Sequence, residues 1–254
     1  MCMTQCMMFH SFRRGVGRST LIANMTALLA IEGYRVGVID TNFQAPSLHI
    51  LFGLNEDNLT YSLNDYLSDQ CDIQQTVYNI TSRLGLDIKG EVHFVPASTR
   101  VDDIASILKQ SYDMDRLNAG LQHVAEELRL DVLLIDPQSG LNEEALYAIG
   151  ISDIVIILMR PDSQDYQGTG IMIDVVRKLD VPQLLLLVNE VPAAMFDLTK
   201  VKTEISAAFS CQVAAAVPHS DDMMALDSKG LFVLRYPDHP QTELYKQIAK
   251  RLMM

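Results

Sequence analysis

Short, continuous apolar runs alternate with amphipathic segments along almost the whole chain, and this rhythm constrains the fold more than any single motif. The runs fall at 7–12, 35–40, 92–95, 131–136, 154–159, 184–189 and 213–217, and helical patterns lie between them at 19–31, 114–129, 165–179 and 198–209. A strand that is apolar at successive positions must be covered on both faces, and strand–helix alternation requires parallel crossovers. The pattern predicts an α/β fold: a doubly wound, mostly parallel sheet flanked by helices. No repeat or Pro/Gly/Ser-rich linker divides it, so 1–254 reads as a single domain, with 55–89 as its least regular stretch and a short helix expected at 62–67.

Composition narrows the function classes. Hydrophobic residues are 48% and charged residues 20% of the chain, which excludes a disordered or collagen-like protein. No apolar run approaches the about 20 residues of a membrane-spanning helix. The basic residues Arg13 and Arg14 follow the apolar stretch that begins at Met1, the reverse of a secretory signal, so that stretch is read as a first strand in a cytoplasmic protein. Cys2, Cys6, Cys71 and Cys211 form no C-x-x-C pair and indicate neither disulfides nor a zinc site. The net charge of −12 weighs against a nucleic-acid partner, and Arg177, Lys178, Lys200 and Lys202 read as solvated helix faces.

The segment after the first run carries chemistry. Gly15-Val16-Gly17-Arg18-Ser19-Thr20 joins a strand to a helix. Glycines let backbone approach phosphate oxygens, and a helix N-terminus offers unpaired N–H groups and the positive end of its dipole. A cation after the last glycine can reach the phosphates, and a hydroxyl next to it can ligate Mg²⁺. The same residues also suit a plain turn that binds nothing.

This loop resembles that of the ParA/MinD family of P-loop ATPases, whose deviant Walker A motif reads K-G-G-x-G-K-[ST]-[ST]. Arg13 stands at the signature Lys, Arg14 at the first Gly, Gly15 and Gly17 at the retained glycines with Val16 between, Arg18 at the Walker Lys, and Ser19 and Thr20 at the hydroxyl pair. Residues 40–49 resemble switch I, with Asp40 at its first carboxylate and Asn42 where the family has a water-activating Asp. Residues 131–141 resemble the Walker B and switch II segment, with Asp136 at the metal-linked carboxylate and Gly140 at the mobile glycine; a helix N-cap before 142–148 is the alternative for Asp136. Asn189 and Pro218 stand where the family contacts adenine, Asn189 being alternatively a turn residue, and 160–165 resembles the loop before the dimer-forming helix.

The resemblance implies ATP or ADP as ligand, Mg²⁺ held by Ser19, Asp40 and Asp136, and a homodimer bridged by ATP that positions or scaffolds an unidentified partner or cargo. It places Arg13 and Asn42 as the candidate catalytic residues. The substitutions qualify the activity. An amide at 42 cannot take a proton from water. Guanidinium at 18 is planar and forked where ammonium is a point charge. Arg14 costs about 1–3 kcal/mol if its backbone must be left-handed. An ATP-binding switch with slow or absent hydrolysis is therefore set against two rivals: an active ATPase, and a pseudo-ATPase that serves as an interaction module without nucleotide.

The remaining candidates are weaker. Leu244, Tyr245, Ile248 and Leu252 share a helical face that suits either a membrane surface or, as read here, a closing helix packed on the sheet. His10 reads as a core or edge residue, and His49 as a candidate partner for a phosphate or a neighbouring subunit. Met223-Met224 and Met253-Met254 suit adaptable surfaces.

Overall fold

The computed structural model describes residues 3–85, 87–109, 112–192, 194 and 196–253, without the side chain of Glu56. Met1, Cys2 and Met254, named in the readings above, lie outside the described residues. Eight strands form one sheet: β1 (Gln5–His10), β2 (Arg35–Thr41), β3 (Tyr78–Asn79), β4 (Glu91–Val95), β5 (Val132–Pro137), β6 (Ile154–Met159), β7 (Gln183–Val191) and β8 (Gln212–Pro218). Their order is β3-β4-β2-β5-β1-β6-β7-β8, parallel throughout except for β3, which pairs antiparallel with β4. This is the doubly wound sheet that the alternating pattern implies.

Helices cover both faces: α1 (Arg18–Glu32), α2 (Leu48–Leu51), α3 (Leu63–Leu67), α4 (Val101–Lys109), α5 (Met114–Glu127), α6 (Glu143–Gly150), α7 (Ser163–Lys178), α8 (Leu198–Phe209), α9 (Asp221–Leu226), α10 (Phe232–Arg235) and α11 (Pro240–Leu252). Helix α1 lies under the sheet with α11 against it, so Leu21, Ile22, Met25 and Leu29 are buried on several sides. The C-terminal helix closes this face: Tyr245, Ile248 and Leu252 are buried and Leu244 packs beside them. That arrangement spends the apolar face on the core, as a closing helix does. Among the described residues no helix is long and apolar enough to cross a membrane.

The elements differ from the sequence reading in a few places. Strand β1 stops at His10 rather than at 12, because Ser11 and Phe12 already turn into the loop. The two-residue β3 is too short to show a pattern, and α4 was not anticipated although Ile104, Ile107 and Leu108 fall at helical spacing; none of its residues is fully buried, and Ile107 packs on the edge of the core. The cap of α6 is Asn142, whose side chain accepts from Ala145 N at 2.7 Å. Asp136 lies inside β5, which removes the N-cap alternative for it.

The topology sets the site. β1, β5 and β2 are adjacent, and Asp40 on β2 sits in register with Asp136 on β5. Their carboxyl ends face the loop that leaves β1, in the crevice where open α/β sheets bind ligands.

Candidate functional site

Residues 11–17 form a loop whose shape depends on two glycines. Gly15 has φ 76° and Gly17 φ 83°, a region costly for residues with a Cβ. Gly17 is constrained twice, since a Cβ there would stand 2.5 Å from the Asn189 amide nitrogen. Arg14 is not among the residues with positive φ, so the backbone penalty raised for it does not arise. Its guanidinium Nη2 instead donates to Gln44 Oε1 at 2.6 Å, tying the loop to the segment after β2. Between them lies a cavity of about 270 Å³ lined by Ser11, Arg14, Gly17, Ser19, Asn42 and Ser139, with the N-terminus of α1 opening into it. Backbone N–H groups at a helix N-terminus and nearby cations make such a cavity suited to phosphate.

Arg18 points inward. Its side chain is 6% exposed, and Nε donates to Asp136 Oδ1 at 2.5 Å; Nη1 donates to Ser139 Oγ at 3.0 Å and Ser11 Oγ at 3.4 Å. Ser19 Oγ donates to the other carboxylate oxygen of Asp136 at 2.6 Å. Both oxygens of a fully buried carboxylate are thus taken, one by a permanent cation. Asp40, also fully buried, accepts from Asn42 N at 3.0 Å, Ser47 N at 3.2 Å and Leu48 N at 3.4 Å. Burial, and then the charge of Asp136, push its carboxyl above the usual range, partly offset by those three N–H donors.

This geometry bears directly on the expected Mg²⁺ site. Ser19, Asp40 and Asp136 do come together, yet as arranged they do not fit the ion. Mg²⁺ requires oxygen ligands at about 2.0–2.1 Å in octahedral array. The Ser19 hydroxyl donates to Asp136, the guanidinium covers the other Asp136 oxygen, and Asp40 is occupied by backbone donors.

Asn42 is tied into its own turn. Its Nδ2 donates to Ala45 O at 2.8 Å, and its buried Oδ1 has no hydrogen-bond partner. Arg13 turns away from the cavity toward the start of α7, where Nη1 pairs with Asp162 at 3.3 Å and Asp165 at 3.5 Å. Asp162 also caps α7, accepting from Gln164 N and Asp165 N. Asn189, two residues before the end of β7, lies against the loop, with Nδ2 donating to Val16 O at 2.8 Å. It lines a second cavity, of about 260 Å³, with Thr20, Pro218, Met223, Gln241 and Tyr245. The two cavities meet at Gly17 and Thr20, which line both.

His10 and His49 are buried and line neither cavity. Burial, and then the Arg18 charge, push His10 down to about 3, with the Gly140 backbone offsetting part of this. Ser11, Ser139, Gln44 and Gln241 were not singled out in the sequence. Single hydroxyls and amides match no motif there, and only their distances to Arg18, Arg14 and the second cavity reveal them.

The fold has counterparts elsewhere. Residues 4–184 match the AAA_31 family, described as an AAA domain. The chain belongs to the ParA/MinD family of P-loop ATPases. An uncharacterized ATP-binding protein of Methanocaldococcus jannaschii is 24% identical over 244 residues, covering 96% of this chain and 85% of the relative. The septum site-determining protein MinD of Bacillus subtilis is 23% identical, covering 99% of this chain and 90% of its own. Among solved structures, MinD of Pyrococcus horikoshii complexed with Mg-ADP superposes with a TM-score of 0.82 at 17% identity, over 98% of this chain and 96% of that one. The ParA/MinD family thus supplies the frame in which Arg18 turns inward here.

Proposed function

We propose that this ParA/MinD-family chain binds ATP and ADP, dimerises when ATP is bound, and works as a positioning or scaffolding switch whose hydrolysis is slow or absent. The observation that carries the reading is a built phosphate-sized cavity beside an amide that cannot act as a base. Gly15, Val16, Gly17, Ser19 and Thr20 would bind phosphate through the loop backbone and hydroxyls, and Arg14 from the rim. Asn189 and Pro218 would flank the base. Asn42 would at most hold a water by hydrogen bonds, since an amide neither takes its proton nor supplies negative charge. Mg²⁺ at Ser19, Asp40 and Asp136 would need Arg18 to leave Asp136.

Arg13 supports the dimer part of the reading. Its head is held by exposed and buried carboxylates at the start of α7, at the edge of the phosphate loop. Guanidinium suits phosphate recognition, and an Arg freed from this pair could reach a partner subunit's nucleotide. A ligand bound better by the dimer favours the dimer by mass action.

Equilibrium titration with ATP and ADP, with oligomer size followed in the same samples, tests the proposal. The expected result is micromolar binding, a dimer with ATP only, and turnover near background that Asn42→Asp raises by about 10²-fold or more. Turnover in the unaltered protein equal to that of Asn42→Asp would favour an active ATPase. Absence of binding at millimolar nucleotide would leave an interaction module without nucleotide.

A further inference from the structure

We infer that the Arg18 guanidinium stands in for the divalent cation of this site, so that nucleoside di- and triphosphates bind here without requiring Mg²⁺. The inference rests on the reading of the loop as a nucleotide site. In a P-loop, the metal bridges phosphate oxygens to a carboxylate at a strand end and neutralises charge there. Here the equivalent place between carboxylate and phosphate cavity is held by a side chain. One edge of Arg18 engages Asp136 Oδ1 at 2.5 Å, and Nη1 reaches Ser139 and Ser11, both of which line the phosphate cavity.

The position is fixed from several sides. Ser19 holds the second oxygen of Asp136 at 2.6 Å, so the carboxylate cannot swing away from the guanidinium without breaking that bond. Ser11 and Ser139 lie on separate segments, and Gly140 N donates to Ser11 O at 3.0 Å, which binds those segments together. The cation is therefore preorganised. A Mg²⁺ ion seeking Asp136 would meet a fixed positive charge on one carboxylate oxygen and the Ser19 hydroxyl on the other. Lysine in this place would present one compact head, which cannot engage a carboxylate along one edge and phosphate-side groups along another.

The test is equilibrium binding of a fluorescent ADP and ATP analogue in excess EDTA and in millimolar Mg²⁺. The expected result is a Kd that changes by less than about 3-fold between the two, while Arg18→Lys loses about 10-fold or more in EDTA. Ser139→Ala, which frees one side of the guanidinium and leaves Asp136 intact, is expected to fall between them. If EDTA weakens the unaltered protein by about 10-fold or more, the inference is overturned and the nucleotide reading stands. If neither condition gives binding at millimolar nucleotide, both fail. The unaltered protein alone decides the matter should Arg18→Lys not fold.

Discussion

The two cavities that meet at Gly17 are built on opposite plans. At the end we propose for the phosphates, Arg18, Asp136, Ser19, Ser139 and Asp40 engage one another or nearby backbone, and Arg18 opposes the charge of Asp136 inside the fold. At the end we propose for the base, the walls are Leu51, Met223 and Tyr245 with scattered polar groups, and Gln241 keeps a buried Oε1 with no partner although its Nε2 donates to Tyr245 at 3.3 Å. The first end is an internal electrostatic assembly that a ligand must join. The second is a packed concavity with spare hydrogen-bonding capacity. Removing a group should therefore cost stability as well as affinity at the phosphate end, and chiefly affinity at the base end.

The sharpest way to break this comparison is Arg18→Met. It strands the fully buried Asp136 carboxylate without its cation, and breaking a buried pair in this way costs about 3–5 kcal/mol. Urea denaturation should show a lower midpoint with an unchanged slope. A loss under about 1 kcal/mol would mean that Asp136 finds another partner, and that the phosphate end is not held by this pair.

Acid comes next. His10 lies behind the same assembly, and its folded pKa of about 3 is well below the 6.5 of the free side chain, so the folded state binds the proton less readily than the unfolded one. Its contribution is fully present above pH 6.5 and is lost as pH falls toward 3. The slope is about 1.4 kcal/mol per unit, so about 2 kcal/mol should go between pH 6.5 and 5. His10→Leu should flatten that limb of the stability curve in denaturant titrations at several pH values. An unchanged limb would place the acid sensitivity elsewhere.

The smallest expected effect is at the base end. Gln241→Leu removes an acceptor that already lacks a partner together with the long 3.3 Å donation to Tyr245, so folding stability should change by about 1 kcal/mol or less. Nucleotide affinity should fall about 3–10-fold, as for loss of one hydrogen bond. A large stability loss with unchanged affinity would reverse the contrast between the two ends.

Much of the scaffold was legible from the chain. The apolar runs at 154–159 and 131–136 become β6 and β5 because continuous burial leaves a signature in every residue. The two-residue β3 is too short to leave such a signature, and the nine-residue α4, whose Ile104, Ile107 and Leu108 do fall at helical spacing, was missed. In the site, Gly15 and Gly17 were readable because backbone geometry restricts the residue type directly. The direction of Arg18 was not. It depends on Asp136, far along the chain, and on Ser139 and Ser11 meeting it from two separate segments. Arg13 is similar: its residue type suggested phosphate, while its partners Asp162 and Asp165 come from the start of α7.

The sequence by itself determined the layered α/β plan and the glycine turn between β1 and α1, since each follows from local periodicity or from residue types at fixed spacing, and its motifs carried the resemblance to the ParA/MinD family. Tertiary structure alone decided which charges meet. Hydrogen bonds and ion pairs act over about 3 Å, and only the packing of β1, β2 and β5 side by side brings Arg18, Asp40 and Asp136 within that range of their partners.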